Sequence, residues 1–193
     1  MKKVCVDTNI LIWYIKRQCT AGQEENLDKA AYLFKHFEEN NIIVVIPSLV
    51  IAELLGNVED EDEREEYFDY INSNFDVAQH DIVSARKYIE LRLKLSKTNA
   101  KSYAKSNGVP KCQMTNDYNI CSVALSSECD AVFSHNLKDF EKFADHQIPI
   151  LTLDYVDVLK SQETSHKPIN YDPQGDLFDD FTDDVEEDDE PAF

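Results

Sequence analysis

Four stretches of the sequence place oxygen-bearing side chains where an apolar run ends or begins. Asp7 follows the first apolar run, Glu53 lies inside an apolar helical segment, Asp117 stands at the start of another, and the polar group 134–139 follows a later run. Several acids that converge in one cleft cannot all stay ionised without a cation. All-oxygen ligation suits Mg²⁺ or Mn²⁺. These side-chain types therefore predict a site for a divalent metal ion that hydrolyses phosphate esters.

Each of these residues also has an ordinary structural explanation. Asp7 can cap a helix, Glu53 can pair with an arginine or point into solvent, and Asp117 can stabilise a helix dipole. Asn136 and Asp139 are common turn residues. The catalytic hypothesis is nevertheless favoured, because all of these residues would meet at the carboxyl edge of one sheet, where open α/β sheets bind their ligands.

The elements that must position these side chains alternate between strands and helices. Apolar runs predict buried strands at 4–6, 42–46, 131–133 and 148–153, with a short one at 75–78. Apolar residues at helical spacing predict helices at 10–17, 26–40, 48–55 (with Ser48 as its cap), 61–72, 81–97 and 116–127, with turns at 139–143 and 155–159. The alternation predicts α/β architecture with a mostly parallel sheet covered on both faces.

Composition limits the domain organisation and the compartment. Of the 193 residues, 42% are hydrophobic, which is enough for a core, and the net charge is −19. We expect one domain over 1–160 and an acidic tail without structure over 161–193. No apolar run is long enough to span a membrane, Asp7 interrupts the first run too early for a secretory signal, and the five cysteines lack zinc spacing. We therefore expect a cytoplasmic protein with reduced thiols.

The segment 86–111 is strongly basic, with eight Lys or Arg residues and Glu90 as its single acid. On the predicted helix 81–97, an apolar face is expected to be buried and the basic residues to lie outside it; the apolar face comprises Ile82, Ala85, Ile89 and Leu93. Lys and Arg contacts to phosphates dominate affinity for nucleic acids. We therefore expect RNA contacts from Arg86, Lys87, Lys94, Lys101, Lys105 and Lys111. The alternative is a solvated face that balances the acidic segment 59–69.

Four motifs together resemble those of PIN-domain nucleases, which include the VapC-type toxins of bacterial toxin–antitoxin pairs. They are Val-Asp-Thr-Asn-Ile-Leu-Ile at 6–12, Pro-Ser-Leu-Val-Ile-Ala-Glu-Leu at 47–54, Asn-Asp-Tyr-Asn-Ile-Cys-Ser-Val-Ala-Leu at 116–125, and Asp-Ala-Val-Phe-Ser-His-Asn-Leu-Lys-Asp-Phe at 130–140. The resemblance covers about residues 1–155. It implies a three-layer α/β/α sandwich with a five-stranded parallel sheet, and metal-dependent endonucleolytic cleavage of RNA. Asp7, Glu53 and Asp117 match the first three acids of the family.

The fourth motif departs from the common family pattern. Asn136 stands where the family often has Asp, with Asp139 three residues later, so its amide oxygen can hold a metal-bound water but brings no charge. Ser134 matches a hydroxyl position that supports a ligand or water, although it can also simply cap a helix. Asn9, beside the first acid, is expected to orient Asp7. Weaker metal affinity follows, and the number of metal ions stays open.

The resulting hypothesis is a Mg²⁺- or Mn²⁺-dependent endoribonuclease, either a toxin of a toxin–antitoxin pair or an RNA-processing enzyme. Its metal would be held by Asp7, Glu53, Asp117 and Asn136, with Asp139 completing the site. The resemblance also implies a cognate antitoxin and a homodimer. The alternative is a catalytically weakened PIN-like module that binds RNA or protein and is recruited through its acidic tail.

The acidic tail permits three interpretations. Gln174-Gly175-Asp176-Leu177-Phe178 resembles the short peptide by which bacterial proteins bind the replication sliding clamp. The tail can also fold back on the basic segment as an RNA mimic, since 172–190 holds eleven acids and no Lys or Arg. The third interpretation is a solubilising extension.

Overall fold

The computed structural model describes residues 1–97, 111–136 and 148–165, and within them the side chains of 1–94, 115–136 and 148–162. Within these residues five strands form one sheet, in which all neighbours are parallel, in the order β3-β2-β1-β4-β5. The strands are β1 (Lys3–Val6), β2 (Ile43–Pro47), β3 (Asp76–Ala78), β4 (Ala131–Phe133) and β5 (Ile150–Leu151). The predicted parallel α/β sheet is confirmed.

The central strand is β1, which is fully buried. Val4 aligns with Val44 of β2 on one side and with Ala131 of β4 on the other. Val4, Cys5 and Val6 have no solvent exposure. A continuous apolar run is what a strand covered on both faces requires, and this run ends directly at the first acid.

Seven helices are described between and after the strands. They are α1 (Thr8–Leu11), α2 (Glu25–Glu39), α3 (Ser48–Leu55), α4 (Glu61–Asn74), α5 (Ile82–Lys97), α6 (Lys111–Ser126) and α7 (Tyr155–Ser165). α1 continues as a π-helix, Ile12–Lys16, which ends at Arg17 with a φ of 52°. Ser48 is the first residue of α3 rather than its predicted cap, because Pro47 occupies the cap position.

The helices cover the sheet in two groups. α6 packs against β1, β2 and β4, and α5 packs on α6. On the other face, Phe37 of α2 and Tyr155 of α7 contact Phe133 of β4, with ring centroids 5.3 and 5.9 Å apart. This is the three-layer sandwich that the motifs implied, and it fixes β1 and β4 as the strands whose ends can carry a site.

The predicted buried face of α5 is wrong. Ile82, Ile89 and Leu93 expose 72%, 55% and 59% of their surface, whereas Ser84 and Leu91 are buried. We call the exposed row Ile82, Arg86, Ile89 and Leu93 the α5 stripe. These residues are four, three and four positions apart, so they share one side of the helix.

Contacts with α6 determine which side of α5 is buried. The Ser84 hydroxyl lies 2.8 Å from the Ser126 hydroxyl, and the rings of Tyr88 and Tyr118 are 5.7 Å apart. The small Ser84 permits a close approach of the two helices that a large apolar side chain would prevent. These pairs also show that α5 and α6 run antiparallel.

The C-terminal helix is longer than predicted. α7 extends to Ser165, so 161–165 is helical, although the sequence predicted a turn at 155–159 and no structure from about 161. The domain limits themselves stay predictions. The predicted turn at 139–143 and the tail motif Gln174–Phe178 lie outside the described residues. In the part of the chain that the structure describes, no helix has the length and apolar character to cross a membrane, and Cys5, Cys19, Cys121 and Cys129 are free thiols.

Candidate active site

Asp7 lies at the carboxyl end of the central strand and is 7% exposed. Its Oδ1 accepts a hydrogen bond of 2.7 Å from the Thr8 backbone N–H at the start of α1. Its Oδ2 accepts one of 2.7 Å from the Ser134 hydroxyl. Asp7 therefore does cap α1, as the ordinary structural explanation requires. A cap uses only one carboxylate oxygen, however, and the second oxygen of Asp7 accepts a hydrogen bond from Ser134 in the fourth motif.

Glu53 is half-buried on α3, and both its oxygens accept hydrogen bonds. The Thr8 hydroxyl donates to Oε2 and the Asn116 side-chain amide donates to Oε1, each at 2.5 Å. Glu53 thus meets the neighbours of both other acids instead of pairing with an arginine. The contacts join the first, second and third motifs in one place.

Asp117 is buried, with 6% exposure, and follows Asn116 on α6. Because α6 begins at Lys111 rather than at 116, Asp117 lies in the second turn of the helix. The helix-dipole explanation applies to the first turn, so it does not account for this buried acid.

The fourth motif follows β4. Ser134 has no exposure, and its hydroxyl accepts a hydrogen bond of 3.1 Å from the Asn136 backbone N–H while it donates to Asp7. Ser134 therefore connects the loop after β4 to the first acid. Asn136 is half-buried at this position, and Asp139 lies outside the described residues.

Two residues of this network were missed in the sequence, namely Thr8 and Asn116. Each is the immediate neighbour of a predicted acid, so proximity in the chain was the available signal. Their common partner Glu53 is 45 and 63 residues away, a pairing that no local pattern reveals. Asn9, predicted to orient Asp7, is exposed on α1, and that role stays a prediction.

The donor set consists of carboxylate, amide and hydroxyl oxygens, which suits Mg²⁺ or Mn²⁺. Over 1–97, 111–136 and 148–165, no three His, Cys, Asp or Glu side chains form a ready metal-binding group. The donor types therefore suit such a cation, whereas the positions of the described acids do not by themselves form its site. Each oxygen of Glu53 accepts one hydrogen bond and keeps a second lone pair that can bind a cation.

The surface beside Asp117 carries part of the predicted basic segment. Burial raises the pKa of Tyr118 to about 12, and the nearby Arg92 opposes this shift. Since α5 is antiparallel to α6, its C-terminal half with Arg92 and Lys94 lies beside the half of α6 that carries Asp117.

The other predicted phosphate contacts differ in their surroundings. Arg86 is exposed, whereas Lys87 is half-buried and pairs with Glu90 at 3.2 Å. Lys101 and Lys105 lie outside the described residues, as does the side chain of Lys111. The exposed cations of α5 are thus available for an anionic partner.

Comparison with known families and structures agrees with this fold. The family model of the PIN domain matches residues 4–146. A search of curated proteins finds no match.

Three solved structures share the fold. The VapBC2 complex of Rickettsia felis, bound to a DNA fragment from its promoter, has 18% identity and a TM-score of 0.55, and the match covers 78% of this chain and 98% of that chain. The DNA-bound VapBC complex of Salmonella typhimurium has 22% identity and a TM-score of 0.53, with 79% and 99% covered. A toxin–antitoxin complex of Klebsiella pneumoniae has 18% identity and a TM-score of 0.50, with 78% and 97% covered.

Proposed function

The chain belongs to the PIN domain family, and from this premise we propose that it is a metal-dependent endoribonuclease. The observation that carries the proposal is the hydrogen-bond network that joins all four motifs. Ser134 binds Asp7, and Glu53 lies between Thr8 and Asn116. These contacts bring Asp7, Glu53 and Asn116, which is the neighbour of Asp117, from distant parts of the chain to one edge of the sheet.

In this proposal Asp7, Glu53, Asp117 and Asn136 hold Mg²⁺ or Mn²⁺, and Asp139 completes the site. The cation, when bound, lowers the pKa of a water molecule and offsets the negative charge of the scissile phosphate. Ser134 fixes the rotamer of Asp7 by its hydrogen bond, and Asn116 fixes that of Glu53. Preorganised ligands of this kind spare the protein the cost of ordering them during the reaction.

The RNA substrate is proposed to approach along the cations of α5. Arg86 and Lys94 are exposed, and the C-terminal half of α5 lies beside the half of α6 that carries Asp117. Positive side chains there would bind the phosphates on either side of the cleaved bond.

A protein partner is also part of this proposal. The solved relatives named above are toxin–antitoxin complexes, which supports a cognate antitoxin for this chain. We further propose a homodimer and the role of a toxin or an RNA-processing enzyme.

The test is cleavage of single-stranded RNA by the full chain with Mg²⁺ or Mn²⁺, with EDTA, and after Asp7→Asn. Asn keeps an acceptor for the Thr8 N–H but removes the charge, so the fold is expected to persist while cleavage is lost. Asp62→Asn, on the exposed surface of α4, is the matched control and should cut like the wild type. Cleavage by Asp7→Asn at the wild-type rate, or cleavage unaffected by EDTA, would exclude the proposed site.

A binding module with weakened catalysis is the second candidate. It is favoured by Asn136, which brings no charge to the site. Calorimetric titration with Mn²⁺ separates the two functions. A nuclease takes up the ion in an Asp7-dependent manner, whereas RNA binding without Mn²⁺ uptake or cleavage would establish the module.

A further inference from the structure

The α5 stripe is an apolar surface with one cation inside it. Ile82, Ile89 and Leu93 expose more than half of their surface, and Val83 beside them exposes 47%. Arg86 lies between Ile82 and Ile89 on the same side of the helix and is exposed. Grouped apolar exposure rimmed by charged side chains marks an interaction site rather than ordinary surface.

The charges around the stripe select its partner. Arg86 lies within it, and Arg92 and Lys94 border Leu93 along the helix. Asp81 and Glu90 are the acids of residues 81–94, and they are outnumbered by Arg86, Lys87, Arg92 and Lys94. A second copy packed on the same stripe would therefore bring an excess of like charges together, which is unfavourable. The complementary partner is an acidic segment that also carries large apolar side chains.

The chain itself contains such a segment. Residues 172–193 hold eleven acids and no Lys or Arg, together with Leu177, Phe178, Phe181 and Val185. These four apolar residues recur at helical spacing, with acids between them, so they can form one apolar face rimmed by negative charge.

The length of the chain permits this contact. Eleven residues lie between Ser165, the last described residue, and Leu177, which makes twelve Cα–Cα steps. Fully extended, they span about 40 Å, which is about the diameter of a domain of this size. The linker is therefore of the same order of length as the distance from the end of α7 to α5.

We propose that the acidic segment 172–193 docks on the α5 stripe of its own chain. Leu177, Phe178 and Phe181 cover Ile82, Ile89 and Leu93, and the flanking acids pair with Arg86 and Lys94. One consequence rests on the proposed function: the docked segment occupies cations proposed to bind RNA, and so restrains the nuclease. The docking itself does not depend on that function.

The test is photo-cross-linking in the full chain, with p-benzoylphenylalanine in place of Phe178. After irradiation and proteolysis, mass spectrometry is expected to find this residue joined to peptides from α5. Ile89→Glu places a negative charge in the apolar row and should lower the cross-link yield about tenfold, equivalent to a loss of about 1.4 kcal/mol in docking. Ile89 is 55% exposed, so the substitution leaves the core intact.

The matched control is Val158→Glu, because Val158 is 47% exposed on α7, away from the stripe. Its cross-link yield should equal that of the wild type, and circular dichroism melting should show both variants folded. Cross-links that map elsewhere, or a yield that Ile89→Glu leaves unchanged, would overturn the proposal. A mixture of ¹⁵N-labelled and unlabelled chains distinguishes a second copy: cross-links between chains in place of cross-links within a chain would also overturn docking in cis. None of these readouts uses RNA cleavage, so they stand whether or not the nuclease assignment holds.

Discussion

The hydroxyl of Ser134 and the carboxylate of Asp7 illustrate what one buried hydrogen bond does for this site. Asp7 is 7% exposed and Ser134 is fully buried, so the bond of 2.7 Å between them is shielded from water. A buried carboxylate that loses a donor bears a cost larger than the net value of the bond. The contact therefore supports stability and the orientation of the proposed metal ligand together.

We predict that Ser134→Ala lowers the free energy of unfolding by about 1.5–3 kcal/mol, the range for a hydrogen bond to a charged group. Urea denaturation at neutral pH measures this change. Ser134→Thr keeps the hydroxyl and should retain most of the stability. Equal stability of Ser134→Ala and wild type would mean that the bond contributes nothing.

Asn116 is predicted to act on cleavage through Glu53. Asn116→Ala removes the donor to Oε1, so Glu53 keeps its charge but loses its fixed position. Residues that orient a ligand typically change metal affinity or activity by about 10–100-fold, and we expect a loss of this size in kcat/KM. The matched control is Asn119→Ala, one turn along α6, which should cleave at the wild-type rate; a loss as large there would assign the effect to the helix rather than to Glu53.

At this scale the sequence predicted the acids and Ser134, but not the two partners of Glu53. Asp7, Glu53 and Asp117 stood out because acids at the ends of apolar runs are costly without compensation. Thr8 and Asn116 did not stand out, because a Thr or Asn near a helix start is common. Their hydrogen bonds to Glu53 depend on how α1, α3 and α6 pack against each other, which the sequence does not give.

At the scale of elements, α5 shows where periodicity fails. Its existence was predicted, because apolar and basic residues alternate with a helical period. Its buried face was not, because Ile82, Ile89 and Leu93 suggested one apolar side, whereas the small Ser84 and the ring of Tyr88 pack against α6. Burial is decided by the partner surface, and a single helix carries no information about that surface. The strands were predicted more closely, because short apolar runs such as Val4–Val6 are typical of a sheet covered on both faces.

The start of α5 provides a test by pH. Oδ1 of Asp81 accepts hydrogen bonds from the Ser84 and Val83 backbone N–H groups, and chiefly the bond from Ser84 holds the pKa of Asp81 below its ordinary value. A group whose pKa is lower in the folded state stabilises the fold fully above its unfolded pKa, and this stabilisation is lost as pH falls through the folded pKa.

We therefore predict that wild type exceeds Asp81→Asn in thermal stability at neutral pH. Asn keeps the acceptor but does not titrate, so the difference in Tm should shrink as pH is lowered from about 6 to about 2.5. Melting curves across this range measure it. A difference that is constant with pH would show that the charge of Asp81 plays no part.

For the whole molecule, the distribution of charge decides more about binding to RNA than the net charge of −19 does. The acids concentrate in the segment 172–190 and in α4, while exposed cations lie on α5. A chain that is acidic overall can therefore still present a positive surface to RNA.

Lys94→Gln tests whether the positive surface on α5 binds RNA. If Lys94 contacts one phosphate, the slope of log affinity for single-stranded RNA against log salt should decrease by about 0.7. Fluorescence anisotropy at several salt concentrations gives the slope. Lys35→Gln, on the exposed side of α2, removes the same charge away from the site and should leave the slope unchanged; equal slopes for Lys94→Gln and wild type would place the RNA elsewhere.

The central position of β1 also determines when, during synthesis, the site can exist. β1 is made before the other four strands, yet one of its two neighbours, β4, lies about 130 residues later in the chain, and Asp7 meets Ser134 only through that pairing. At about 5–20 residues per second, the ribosome adds these residues over several seconds. Throughout that interval the nascent chain carries the first acid without its partner strand. The proposed site of an RNA-cleaving enzyme would thus stay incomplete while its own messenger RNA is being translated, until the ribosome has passed the codons of the fourth motif.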